Sequence, residues 1–178
     1  VARVGVSLVK QEKDQWLEDA LDFVRDSLRA NSVVGLDEHP HGAKMIEKGE
    51  PTLANLANNQ QALPAIFVAP DTHTPLRQGQ TLENEVRLEI QMADTITLQP
   101  LADSLDDQTA FREWTGKVYN EVLHLFEKGR AEEQVWDDWQ PPNEPSNQLA
   151  ADVGDKAVLV HILPMQMTIN THWINTGV

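Results

Sequence analysis

The chain has 178 residues, enough for one domain with a sizeable core, because a chain of this size buries roughly two thirds of its unfolded surface. Asp and Glu number 28 against 14 Lys and Arg, giving a formal charge of -14 with neutral histidines. Such a surface repels phosphate and argues against a conventional duplex binder, though not against a protein past which DNA slides without sticking. With no cysteine there is no disulfide framework, thiolate nucleophile or cysteine-bound metal.

VARVGVSLVKQEKDQW has no basic region leading into an apolar core, and no later apolar run approaches the ~20 residues that span a bilayer, so a soluble chain is expected. In QEKDQWLEDALDFVRDSLRANS, Leu17, Ala20 or Leu21, Val24 and Leu28 recur at helical spacing, with Trp16 and Phe23 widening the stripe. Acidic residues lead and Arg25 and Arg29 follow, as a helix dipole favours. The spacing predicts a helix over 12–30 covering one face of a sheet. The stretch 31–62 is punctuated by Asn31, Gly35, Pro40, Gly42, Gly49 and Pro51 and reads as a long insertion. His39 and His41, with Asp37 and Glu38 beside them, invite a metal reading. Pro40 separates the histidines and no second ligand cluster follows at diagnostic spacing, so an ordinary polar loop is expected.

LPAIFVAP places Ile66, Phe67 and Val68 between Pro64 and Pro70, which should bound a short strand. DTHTPLRQGQTLEN reads as a loop into a second strand, making a long-loop hairpin or neighbours in an antiparallel sheet. That strand is EVRLEIQMAD. Val86, Leu88, Ile90 and Met92 alternate with Glu85, Arg87, Glu89 and Gln91, the period of a strand with one buried and one wet face. TITLQP extends it, with a bulge expected after Ala93 and Asp94.

In DSLDDQTAFREWTGKVYNEVLHLFEKGR, Phe111, Trp114 or Thr115, Val118, Val122 and Leu125 define a second helix, supported by Phe126. Thr109 or the upstream aspartates can cap its start, Gly129 supplies a stop, and Gly116 suggests close approach to a neighbouring backbone. The acidic, proline-rich stretch 130–155 reads as another insertion, in which Trp136 and Trp139 either pin the loop to its own domain or anchor a subunit contact. In KAVLVHILPMQMTINTHWINTGV two alternating sets flank Pro164, predicting strand, bulge, strand, with the end projecting beyond the main sheet. Met165 and Met167 read as adaptable packing residues rather than metal ligands, on a strand able to join a neighbour's edge.

The fold class expected is therefore α+β: a mixed, largely antiparallel sheet packed against two main helices, with long loop insertions. The search for chemistry finds Asp103, Asp106 and Asp107 near a helix start, better read as caps, and Asp71 with His73 as an imaginable base and orienting partner. His124 and His161 lie in apolar settings and read as structural. There is no phosphate loop, nucleophile elbow, HExxH helix or calcium loop.

LPAIFVAP, TLENEVRLEIQMAD, FREWTGKVYNEVLHLF and MQMTINTHW, taken in this order, resemble the organisation of a tailed-phage tail terminator or related head-to-tail neck protein. The resemblance spans about 120 of the 178 residues. It implies strands at 64–70 and 84–92 with a helix at 109–127 packed behind them. It also implies a subunit that forms a ring, often of six, capping the tail tube and meeting head-completion proteins, while DNA passes without sequence-specific binding. Such a protein has no cofactor and no turnover; it is assembled in the host cytoplasm and resides in the virion tail or neck. The segments 31–62 and 130–155 depart from the compact family pattern, and contact with a neighbouring ring, tail tube or connector is expected of them. In a ring, Glu85, Arg87, Glu89, Trp136, Trp139, Met165 and Met167 are the expected interface, with Arg87 pairing bidentately with an acidic neighbour. Two other readings compete: a metal-dependent hydrolase, which needs Asp71, His73 and distant carboxylates to converge, and a soluble adaptor binding through Trp136, Trp139 or the final strand.

Overall fold

The alternation of residues 85–92 lies at the centre of a seven-stranded sheet. In the computed structural model, which describes residues 4–8, 13–34, 42–79, 81–141 and 144–177, β4 (Thr81–Thr97) runs antiparallel between β3 (Ala65–Gln78) and β7 (Lys156–Gly177). The short β2 (Met45–Lys48) adds parallel to the start of β3, and β1 (Val4–Leu8) pairs with the last five paired residues of β7. β5 (Asp138–Gln140) and β6 (Ser146–Val153) pair with earlier parts of β7. Two long helices, α1 (Lys13–Arg29) and α3 (Leu101–Ala131), seal one face, and the short α2 (Leu53–Asn58) covers part of the other. The architecture is the α+β one expected: a mixed, largely antiparallel sheet on two main helices.

Alternation decides which residues meet the helices. Val86, Leu88, Ile90 and Met92 are buried among Trp16, Val24, Phe111 and Val118. Each such side chain contributes roughly 1.5–3 kcal/mol relative to exposure. On β7, Leu163, Met165, Met167 and Ile169 face the same core, whereas Val158 and Val160 lie on the reverse face with Ala65, Ala93, Leu56 and Leu63. The apolar positions thus change parity around Pro164 because a different core covers each half. No bulge is needed: the register with β4 runs unbroken from Thr81↔His172 to Thr97↔Lys156. Pro164 lies between the β5 and β6 pairings, where the second edge of β7 is free of them and proline is tolerated. The bulge expected after Ala93 is likewise absent.

Pro70 does not end β3. The strand continues to Gln78 through a register shift between Pro70 and Thr72, and the supposed loop is strand on both sides of a tight reversal. Gln78 pairs with Thr81, and Gly79, at φ +61°, opens the reversal in a conformation glycine adopts without steric cost. Beyond Val68 the outer edge of β3 has no partner in β2, so a proline and a bulge are accommodated there and discourage a foreign strand from pairing.

Both insertions contain regular structure. The first supplies β2 and α2. Arg29 donates through Nε to the Ile46 carbonyl at 2.8 Å and pairs with Glu47, while Lys48 reaches Glu18 and Asp22 at 2.6 Å, clamping β2 to α1. The second supplies β5 and β6. Neither glycine of α3 has the role expected of it. Gly116 has open space where a Cβ would be, but a methyl group at Gly129 would overlap the Trp136 ring. Gly129 therefore lies within the helix as a packing site and does not stop it. Pro100 is the N-cap and no side chain caps the start; Asp107 instead accepts from the backbone N–H of Thr97 at 2.7 Å.

Candidate functional site: the open face of the sheet

The face of β3, β4 and β7 away from α1 and α3 has two parts. Toward the start of β3, Ala65, Ala93, Val158 and Val160 are covered by Leu56 of α2 and by Leu63. Farther along lies a polar field. By register Glu83 is flanked by Leu76 and Asn170, Glu85 by Thr74 and Thr168, and Arg87 by Thr72 and Gln166. Glu85 and Arg87 are exposed, Glu89 is half-buried and Gln91 is buried, its amide donating to Glu89 at 2.9 Å. Burial thus deepens toward α2.

The β3 bulge has a chemical result. Ala69, Pro70 and Thr72 pair with Glu89, Leu88 and Arg87, leaving Asp71 as the extra residue. Its carboxylate lies 3.5 Å from Nε of Arg87, with side chains 33% and 47% exposed respectively. A pair this exposed contributes about 1 kcal/mol or less to stability, so it orients the guanidinium more than it holds the fold. Beside Arg87 a recess of about 220 Å³ is lined by Pro141, Glu144, Pro164 and Gln166. The hairpin tip then leaves the helices behind: Thr74, Pro75, Leu76 and Arg77 are exposed on both faces. Its base is fixed by Asn84, which donates to the Ile169 carbonyl at 2.9 Å and meets His73 Nε2 at 2.8 Å, with the His73 ring edge-on to Trp16.

The other expected contact residues are placed differently. Trp136 is 2% exposed: it stacks on Phe126 at 4.7 Å, meets Phe23 edge-on, and donates through Nε1 to the Phe126 carbonyl at 2.8 Å. It pins its own segment to the core, so as an interface residue it is corrected. Met165 and Met167 are corrected in the same way, since both are fully buried against the helices, as the packing reading of methionine required. Trp139 remains half-buried, its indole donating to Glu127 at 2.8 Å. Arg130 pairs with the same carboxylate, and first that pairing and then the Trp139 bond hold the Glu127 pKa down at about 2.

Asp71 and His73 are not brought together, because Asp71 turns to Arg87 on the open face and His73 to Asn84 and Trp16 on the other. Asp103 and Asp106 are exposed on α3. His124 lines a groove between α1 and α3, and burial lowers the pKa of His161, whose Nδ1 meets Asn147. His39 and His41, with Asp37 and Glu38, lie outside the described residues. Among the described residues, no group of three or more His, Asp or Glu is arranged to hold a metal ion, and no helix is long and apolar enough to cross a membrane.

Sequence reading missed Asp71 as the partner of Arg87, since a bulge is set by pairing rather than by the strand alone. It also missed α2, for which a local signal existed: Thr52 Oγ1 accepts from the N–H of Asn55, and Asn55 Oδ1 accepts from the N–H of Thr52, a reciprocal cap over three residues. The chain matches no protein-family model and no curated protein in sequence.

Proposed function

We propose that the chain is a structural subunit of a homo-oligomeric ring, of the tail-terminator or neck kind, which caps a tail tube, joins it to head-completion proteins and lets DNA pass. The observation that carries this reading is the distal open face. Three long paired strands hold Glu85, Arg87 and Glu89 in a row whose other side is anchored by a continuous core. The backbone of such a support is already ordered and loses little freedom on contact, which favours association. A ring contact joins different patches of successive subunits, so this row meets a different surface of the next copy. The excess of 14 acidic over basic residues suits a pore past which DNA slides.

Native mass spectrometry with negative-stain imaging tests the reading. A closed ring, six-membered by the family expectation, supports it. A strict monomer at every concentration, with purified assembly partners present, overturns it.

A further inference from the structure

Beside α2 the open face forms a groove of about 420 Å³ whose lining includes Glu50, Leu53, Leu56, Gln91, Val160 and Ile162. Leu56 and Val160 are buried in its floor, but Leu53, on the first turn of α2, is 53% exposed. Among the described residues, no lysine or arginine lines the groove. Glu50 stands at its mouth, and Glu89 adjoins its floor through the bond from Gln91. The nearby Lys48 is engaged with Glu18 and Asp22. An apolar slot with carboxylates at its rim and no counter-charge suits an occupant that brings an apolar anchor and its own cations.

Among the described residues, the other exposed leucines do not meet that requirement, nor does Met45, which adjoins Lys44 but shares its strand face with Glu47. Leu76 shares its strand face with Glu83 and Glu85, and Leu101 and Leu105 flank Asp103 on α3, with Asp106 following. Seating any of them in a second copy's groove would bring carboxylates toward Glu50 and Glu89. Like charges brought together without a counter-ion oppose such a contact.

We propose that this groove docks a segment of a different protein, one carrying an apolar side chain next to lysines or arginines. Leu53, Leu56, Val160 and Ile162 receive the anchor, and Glu50 and Glu89 receive the cations. The site lies at the α2 end of the sheet and shares only Glu89 with the row assigned to ring contact, so it stands whether or not the chain closes into a ring.

The test is fluorescence anisotropy with a labelled synthetic peptide carrying one leucine followed by lysines at alternate positions. Two companions replace the leucine with serine or the lysines with glutamate. The chain should bind the Leu-Lys peptide at least about tenfold more tightly than either companion, and more weakly as salt rises. Leu53→Asp and Glu50→Lys should each weaken binding about tenfold. Asp103→Lys, a charge change equal to that of Glu50→Lys but far from the groove, should leave it within about twofold. Leu53, Glu50 and Asp103 are exposed, so the variants should fold, as circular dichroism will check. Equal weakening by Asp103→Lys would reduce the effect to net charge and overturn the proposal, as would equal binding of the serine peptide or no binding at all. Self-assembly of the wild type that Leu53→Asp abolishes and the peptide cannot compete with would make the occupant a second copy, which also overturns it.

Discussion

The two faces of one sheet use the same strands for opposite ends. Toward α1 and α3, Val86, Leu88, Ile90 and Met92 are closed off by the helices, and their identities are set by the volume they fill. On the reverse face, Glu85, Arg87 and Glu89 occupy the alternate positions of the same strand and are left largely to solvent. Folding consumes the first set and leaves the second for contact. Trp136 was expected among the contact residues but belongs to the consumed set, and the difference in cost between the two sets is measurable.

The largest effect should come from Trp136→Ala, which empties the site between Phe126 and Phe23 and should destabilise the chain by about 3–5 kcal/mol in chemical denaturation. A loss below about 1 kcal/mol would mean that Trp136 serves the surface after all. Gly129→Ala pushes a methyl group into the same ring and should cost about 1–3 kcal/mol. On the exposed side of the same helix, Gly116→Ala meets nothing and should instead stabilise by about 0.5–1 kcal/mol. If both glycines responded alike, the contrast between consumed and open surface within α3 would fail.

How far this contrast was legible depends on how strongly burial marks each residue. The α1 stripe from Trp16 to Leu28 and the Val86–Met92 alternation were readable because each repeats with one period against one core. Residues 72–77 carry little of that signal, since most of their side chains are exposed on both faces, so a strand looked like a loop. The two alternating sets of β7 suggested a bulge because sequence shows a change of parity but not the second core beneath α2 that causes it. The roles of Gly116 and Gly129 depend on where Trp136 folds back, a contact that spacing along α3 does not reveal. At the candidate site, the wet row of Glu85 and Arg87 was plain, whereas the bond from Arg87 to Asp71 required the pairing of β3 with β4.

The smallest effect concerns pH. The Glu127 carboxylate is held at about 2 against an ordinary 4.5, so its pairing with Arg130 and Trp139 favours folding fully above pH 4.5. That contribution is lost as pH falls through about 2. The indole N–H resonance of Trp139 should therefore titrate near pH 2, and a midpoint near 4.5 would show that the carboxylate is not held.

The central claim is that the distal open face is an assembly surface, and Arg87→Glu tests it most directly. The substitution removes an exposed pair worth about 1 kcal/mol or less, so far-ultraviolet circular dichroism should be unchanged and stability altered only slightly. Native mass spectrometry over a range of protein concentrations should show wild type forming a closed oligomer and the variant dissociating at concentrations where wild type stays assembled. An identical oligomer with identical concentration dependence in the two proteins would contradict the account.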